Sequence, residues 1–433
     1  MIYKKMTNKQ AAIKIIKRLS RSGYQALLAG GCVRDMLLGR AASDYDVATD
    51  AQPDDVIKLF KRTLKVGAKF GVVIVLVEGQ QIEVATFRAE ADYADGRHPD
   101  TVKFASAAED ASRRDFTING MFYDPIKEDV IDYVGGQKDL KRKIIRTIGE
   151  PQERFSEDYL RTLRAVRFST QLGFRIEPKT WSAVCSNAKK ITKISGERIA
   201  IELEGILVNT NRSAGSKMLI ESGLAEAIFP DFVGCQAKFA IKVLSKLRKK
   251  VDFALSLAGF FAGCETEFAI EKCQILKLSR SQNKHIKFLL SNRGKLLEEQ
   301  MPLAQLKLIA SEAYFRDLYE LQRAIQLVGA LVTAEHAVAG EPAVARKAGD
   351  DRKSIAPLVN LRKRIKALGD VELRPKPLLN GHDLIKLGAV PGPGLGQLAE
   401  EMYIAQLEGT LQTAKEARQW AEQWLQKHKS IEH

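Results

Sequence analysis

The chain has 433 residues, enough for two to four domains at an ordinary domain size, and its 45% hydrophobic and 28% charged content is that of a folded protein, not a disordered or fibrous one. Lys and Arg number 68 against 53 Asp and Glu, a formal charge of +15 with a pI near 9.4. That excess calls for a polyanionic partner, because neutralising phosphates with Lys and Arg drives nucleic-acid binding.

Nothing in the sequence points to secretion or a membrane. No run of about 18 apolar residues occurs, and Met1 to Gly23 is polar and Lys-rich, without an apolar signal core. Cys32, Cys185, Cys235, Cys264 and Cys273 are scattered and show no C-x-x-C, so reduced thiols in a cytoplasmic protein are expected. From Asn8 to Ser22 apolar residues recur at helical spacing, which predicts a helix packed on a strand over Tyr24 to Ala29. Gly30 and Gly31 follow, and VRDMLLG continues as a helix. Such a strand, glycine turn and helix start offers backbone N–H groups to a phosphate. Asp44 and Asp46 come next, in a segment running into Val47. On a strand both carboxylates point to one face, with Cα atoms about 6.6 Å apart. They can then share one divalent cation, and Asp44 can bridge to a second about 3.5 to 4 Å away. A D-x-D alone is unspecific, since surface Asp pairs beside turns are common; the glycine turn at this spacing is what gives it weight.

The whole stretch, GGCVRDMLLGRAASDYD from Gly30 to Asp46, resembles the signature of the polymerase-β-like nucleotidyltransferases that act on RNA 3′ ends, the class II tRNA CCA-adding enzymes and their poly(A) polymerase relatives. The resemblance implies Asp44 and Asp46 as catalytic metal ligands, and Gly30, Gly31 and Arg34 as nucleotide contacts.

Two further strands are expected over Val72 to Val77 and Gln81 to Phe87, with Gly79 between them. Glu83 is the one acid in the second. A buried strand tolerates a carboxylate only when it is paired or metal-bound, so Glu83 is a candidate third acid, with a salt-bridged structural role as the alternative. Arg88 to Asp100 breaks all periodicity and reads as a surface loop; it resembles the family's flexible loop for terminal A addition. In SRRDFTING, Ser112 to Gly120, guanidinium forks suit a triphosphate and a carboxylate suits a ribose. It matches the second family motif and implies roles for Arg113, Arg114, Asp115 and Asn119; Gly120, where the family more often has Ala, suggests close packing. IDYVGGQKDL, Ile131 to Leu140, reads as a hinge.

From Pro151 the pattern is helical, with Ser156 as the expected N-cap. Asp158 and Arg161, at i and i+3, then lie side by side. Most such pairs are surface salt bridges. A carboxylate and a guanidinium can also complement the N4–H₂ and N3 of cytosine or the N6–H₂ and N1 of adenine, while rejecting guanine and uracil. ED-x-x-R followed by RAVRF resembles the family's nucleotide-recognition motif, which implies Asp158, Arg161, Arg164 and Arg167. ISGERIAIELEGIL, Ile194 to Leu207, fits a buttressing helix in which Glu197, Arg198 and Glu202 are read as structural, and Met218 to Phe232 is a further family phrase.

Two basic clusters on helical patterns, Lys246, Arg248, Lys249 and Lys250, and then Arg362, Lys363, Arg364 and Lys366, are candidate RNA contacts. The stretch 337–351 is read as a loop. Leu378 to Leu411 resembles the family's closing helical element, and Trp420 with Trp424 reads as a packing pair.

The resulting expectation is an α+β protein. A polymerase-β-like head over 1–145, with a small mixed sheet, precedes a helical neck (146–210), body (211–370) and tail (371–433). The implied reaction adds C, C and A to a tRNA 3′ end from CTP and ATP with two Mg²⁺ and releases pyrophosphate. The alternatives are an A-adding enzyme, a poly(A) polymerase, against which the segment Lys65 to Val77 counts because it lacks a GRRF-type phrase, and a non-catalytic RNA-binding protein.

Overall fold

The computed structural model describes residues 6–65, 71–89, 103–232, 234–337 and 353–429. Two compact units divide the chain: Met1–Ala237 with Lys272–Leu278, and Lys238–Glu271 with Ser279–His433.

The first unit opens with α1 (Asn8–Arg21), β1 (Ala26–Ala29), α2 (Gly31–Leu37), β2 (Asp46–Thr49), α3 (Pro53–Leu59), β3 (Thr63–Leu64), β4 (Val72–Val77) and β5 (Gln80–Thr86). Next come β6 (Arg88–Ala89), β7 (Lys103–Phe104), α4 (Ala107–Ser112), β8 (Phe122–Asp124), β9 (Asp129–Ile131) and α5 (Gly136–Arg142). Helix α1 starts where it does because Thr7 and Gln10 cap it reciprocally. Its apolar spacing then buries Ala11, Ala12, Ile15, Ile16 and Leu19, against β1, β2 and β5.

Seven strands form one sheet in the order β3-β4-β5-β2-β1-β8-β9. The pair β2 and β5 is parallel and the other pairs are antiparallel. Register places Asp46 opposite Ala29, the residue before the glycine turn. Val47 pairs with Val84, so Asp46 stands beside Glu83. The sheet's apolar side is filled by Leu27, Ala29, Ala48, Phe87, Ala107, Ala111 and Phe122; Phe87 and Phe122 meet edge to face at 5.7 Å. Strands β4 and β5 fall within one residue of the sequence expectation, and the turn between them has positive φ at Glu78 and Gly79, as a tight hairpin requires.

The segment expected to act as a hinge is a packed junction. Asp132 accepts hydrogen bonds from the N–H groups of Val134, Gly136 and Gln137 at 2.9 to 3.2 Å. A Cβ on Gly136 would lie 2.2 Å from the Thr117 carbonyl oxygen. Gly120 is close-packed too, where a Cβ would meet Val134 at 2.7 Å and Ile148 at 2.9 Å.

The same unit continues through β10 (Ile144–Ile145), α6 (Pro151–Glu157), α7 (Leu160–Leu172), β11 (Arg175–Ile176), α8 (Pro178–Asn187), α9 (Gly196–Leu207), α10 (Arg212–Glu221) and α11 (Leu224–Ile228). Helix α7 buries Leu160, Leu163, Ala165, Val166 and Phe168 and packs on α9 and α10. The expected continuous helix over Ser156 and Asp158 is in fact broken. Asp158 has φ −149° and ψ 104°, outside the helical region, and its Oδ1 accepts the Leu160 N–H at 3.0 Å. Asp158 therefore stands at the gap between two helices, and Ser156 lies inside α6.

Beyond residue 233 the described chain is helical: α12 (Gly234–Lys246), α13 (Phe253–Phe260), α14 (Thr266–Gln274), α15 (Arg280–Ser291), α16 (Leu303–Ser311), α17 (Phe315–Ala337), α18 (Ala356–Ala367), α19 (Gly381–Lys386), α20 (Pro393–Glu408) and α21 (Ala414–Lys429). The last three share a core of Leu379, Leu384, Leu398, Met402 and Ala421. Trp420 and Trp424 pack on it, and Trp424 Nε1 donates to Glu401 at 2.8 Å. No helix among the described residues is long and apolar enough to cross a membrane. The segments 90–100 and 338–351, both read as loops, lie outside the described residues.

Gly136→Ala should destabilise the first unit by about 2 kcal/mol or more, since the methyl group meets backbone and not a yielding side chain. Urea unfolding checks this, and an unchanged midpoint would show that the junction has slack.

Candidate active site

The acids of the site sit at the mouth of the parallel strand pair. Asp46 begins β2, Glu83 lies beside it on β5, and Asp44 precedes the strand; all three are exposed. The expected buried setting for Glu83 is thus corrected: it belongs to the open face of β5. The surrounding protein partly desolvates the Asp46 carboxylate although the residue is exposed. That desolvation, followed by the Glu83 charge and then Asp44, against an opposing contribution from Arg114, raises its pKa to about 6. Clustered carboxylates in excess of their cations are what a divalent metal would relieve, so Asp44, Asp46 and Glu83 are the residues here that could hold one.

The glycine turn lies against this cluster. Gly30 has φ +74°, and a Cβ there would come within 3.0 Å of Arg114 Nη1. Arg114 and Arg113 are both gripped by Asp110, which is 1% exposed. Arg114 reaches Asp110 Oδ2 through Nε and Nη2 at 3.1 and 3.0 Å. Arg113 Nε donates to Asp110 Oδ1 at 2.9 Å and to the Arg88 carbonyl at 2.8 Å. Burial acts to raise the Asp110 pKa, but the two guanidinium charges outweigh it and hold the carboxyl below its usual range.

Asp115 is the next node. It accepts from its neighbour's N–H at Phe116 (2.8 Å), from Asn119 Nδ2 (3.2 Å) and, through Oδ2, from Nε and Nη2 of Arg164. Burial works against its charge, and Arg164 overcomes this and keeps the carboxyl low. Arg34 Nη1 donates to Asn119 Oδ1 at 2.8 Å, while its other nitrogens pair with Asp35. On the far side Glu202 faces Arg164 at 3.7 Å and pairs with Arg167. The Phe168 ring sits among Arg34, Arg164 and Arg167 at 5.4, 5.3 and 4.1 Å and meets Phe116 edge to face.

Each member of the expected base-reading pair is held by its own partner. Asp158 Oδ2 accepts from Arg198 Nη2 at 2.7 Å. Arg161 pairs with Glu157 and donates to the Arg154 carbonyl at 2.8 Å. Arg154, in turn, pairs with Glu157 and donates to the carbonyls of Arg113 and Arg114. Helices α6 and α7 are thereby tied to the arginine motif after α4.

Residues 26–146 match a model of the "Poly A polymerase head domain" family, and residues 173–235 match one described as "Probable RNA and SrmB- binding site of polymerase A". The chain is 35% identical over 408 residues to a CCA-adding enzyme of Lacticaseibacillus paracasei, an alignment covering 93% of each protein. It belongs to the CCA-adding enzyme family. A CCA-adding enzyme of Geobacillus thermodenitrificans is 45% identical over 217 residues, 50% of this chain and 54% of that enzyme. The crystal structure of the Bacillus stearothermophilus CCA-adding enzyme in complex with CTP superposes with a TM-score of 0.75 at 28% identity, covering 98% of this chain and 100% of that one.

Within this family frame, the sequence reading missed Asp110, although its signal was present: an acid three and four residues before two arginines, on one helix turn. It also missed Glu157 as the partner of Arg161. Arg198 and Glu202, read as structural, contact the candidate nucleotide residues directly. The basic clusters are less available than expected. Arg248 pairs with Asp317, and it lies past the end of α12 with Lys249 and Lys250. Arg364 donates to the Glu299 and Met301 carbonyls, whereas Arg362, Lys363 and Lys366 are exposed.

Two outcomes are expected. A carboxyl with a raised folded pKa adds stability below its unfolded pKa and loses that contribution as pH rises through about 6. A divalent ion held by Asp46 would remove this cost, so Mg²⁺ should raise Tm more at pH 7.5 than at pH 5; equal shifts would show that Asp46 does not hold the ion. Asp110→Asn should lower stability by about 2 to 3 kcal/mol at pH 7. Because the folded Asp110 pKa is lowered, the gap between wild type and variant should close as pH falls below the carboxylate range; denaturant unfolding at both pH values measures it.

Proposed function

We propose that the chain adds C, C and A to the 3′ end of tRNA, using CTP and ATP and releasing pyrophosphate. The observation that carries this reading is the continuity of the site within one unit. The acids at the mouth of β2 and β5 lead through Arg114, Asn119 and Asp115 to Arg164, and Arg154 links the arginine motif to Glu157 and Arg161. A structure of a family member with 28% identity holds CTP, one of the two nucleotides required.

In this reading the RNA 3′-hydroxyl attacks the α-phosphate. Two Mg²⁺ bound at Asp44 and Asp46 would supply activation of the hydroxyl and stabilisation of the leaving charge. The chain's own residues do the rest. Gly30 and Gly31 open space for phosphates beside Arg114. Asp110 fixes the forks of Arg113 and Arg114, so their remaining N–H groups meet the triphosphate without a search over rotamers. Both Asp115 oxygens already accept protein hydrogen bonds, so its contribution is to position Arg164, with any ribose contact added to that role. Asp158 accepts from the exocyclic amine of C or A, and Arg161 donates to the adjacent ring nitrogen; Arg198 and Glu157 aim them. U and G present the reverse order. The exposed Arg362, Lys363 and Lys366, with Lys246, Lys249 and Lys250, are the proposed tRNA contacts.

The test is incubation with tRNA truncated before its CCA and with each nucleotide singly and together. CTP alone should give two additions, and CTP with ATP should complete the end. AMP addition only to tRNA ending in CC, with no CMP incorporation, would make the chain an A-adding enzyme. A long A tail would make it a poly(A) polymerase. Asp44→Ala or Asp46→Ala should reduce both additions by roughly a hundredfold or more, and Asp158→Ala should flatten the choice among CTP, ATP, UTP and GTP.

A further inference from the structure

The second unit contains a cluster that the nucleotide chemistry does not use. Asp252 precedes α13, His285 lies in α15 and Asp317 in the first turn of α17. One oxygen of each carboxylate and one ring nitrogen all lie within 4.8 Å of one another. The His285 ring is 6% exposed and stacked on Tyr314 at 4.0 Å, so its orientation is fixed. Nε2 is buried without a hydrogen-bond partner, although Asp317 Oδ2 lies 3.3 Å away. Nδ1 is 3.5 Å from Asp252 Oδ2.

A protonated imidazole clamped by two carboxylates would look different. The two N–H directions diverge, and hydrogen bonds of about 2.8 Å would hold the oxygens roughly 7 Å apart. Here the ligand atoms of the two carboxylates lie within 4.8 Å of each other instead, closer than such a clamp would place them. The outer partners are those of a ligand set. Asp252 Oδ1 accepts the Leu255 N–H at 2.8 Å, and Asp317 Oδ1 accepts from Arg248, which leaves both Oδ2 atoms facing the ring.

We propose that Asp252, His285 and Asp317 form a second divalent-metal site, which ties α13, α15 and α17 together. An imidazole donor with two carboxylates favours a borderline transition ion such as Zn²⁺ over Mg²⁺. Asp252 is exposed, and with Oδ1 holding the α13 cap its Oδ2 is the ligating atom. Three protein donors leave positions for water.

The experiment uses the full-length Asp44→Ala/Asp46→Ala protein, so that the head acids cannot contribute. It is titrated with Co²⁺, read by visible absorption, and with Zn²⁺ in competition with a chelating dye. One equivalent should bind, with a ligand-field band in the Co²⁺ form and an increase in Tm. His285→Gln in that background should weaken binding at least tenfold and remove the band. Asp252→Asn keeps the helix cap but removes the charged ligand, so it carries the same expectation if His285→Gln fails to fold. No uptake by the parent protein, or uptake and absorption unaltered by both substitutions, would overturn the site and leave an ion-pair cluster.

Discussion

The Asp115–Arg164 pair is the constraint on which the active site depends. It joins the end of the head's arginine motif to the middle of α7 through two N–H donors on one carboxylate oxygen. A partly buried pair of this kind contributes little net stability over an apolar replacement, but breaking it leaves a charge without compensation. Its value is geometric: the fork fixes orientation as well as distance. Phe168, one turn on, lies between Phe116 and three guanidinium groups, so apolar packing and cation–π contact act in the same place.

Arginine is abundant in this site, and almost every one of its guanidiniums is assigned to a carboxylate before any ligand arrives. Asp35, Asp110, Asp115, Glu157, Asp158 and Glu202 hold Arg34, Arg113, Arg114, Arg164, Arg161, Arg198 and Arg167. The exception in sign is the Asp46 group, where carboxylates outnumber cations. The site thus presents anchored positive forks along one stretch and unbalanced negative charge at the strand mouth, a division that suits an anion on one side and a cation on the other. Cys32 sits between β1 and this mouth. Burial pushes its thiol up to about 11, so it remains protonated and takes no part in the charge pattern.

Much of this was legible in the sequence. The apolar run Val72 to Val77 and the alternation after Gly79 identified neighbouring strands, because β-branched apolar residues and period-two alternation are both strand signals. The motifs located the acids and arginines. What the sequence did not disclose was long-range pairing: Arg198 is 40 residues from Asp158, and no local period encodes their contact. The break at Asp158 was hidden for a different reason. Its flanks both have helical patterns, and the side-chain hydrogen bond to Leu160 that defines the gap appears only in three dimensions. Glu83 was misjudged because alternation shows which residues share a face but not which face is open.

The parallel pairing of β2 and β5 has a consequence for how this fold can vary. Side chains alternate along a strand, so sliding β5 by one residue would turn Glu83 into the apolar side and bring Ile82 or Val84 to the cleft. Glu83 and Asp46 come from strands whose connection runs through α3, β3 and β4, so their meeting rests on register and not on proximity in sequence. Insertions in the connections between these strands leave the charge cluster whole, whereas a single residue added inside β5 would separate its members. Divergence in this part of the head is therefore free in loop length and restricted in strand length.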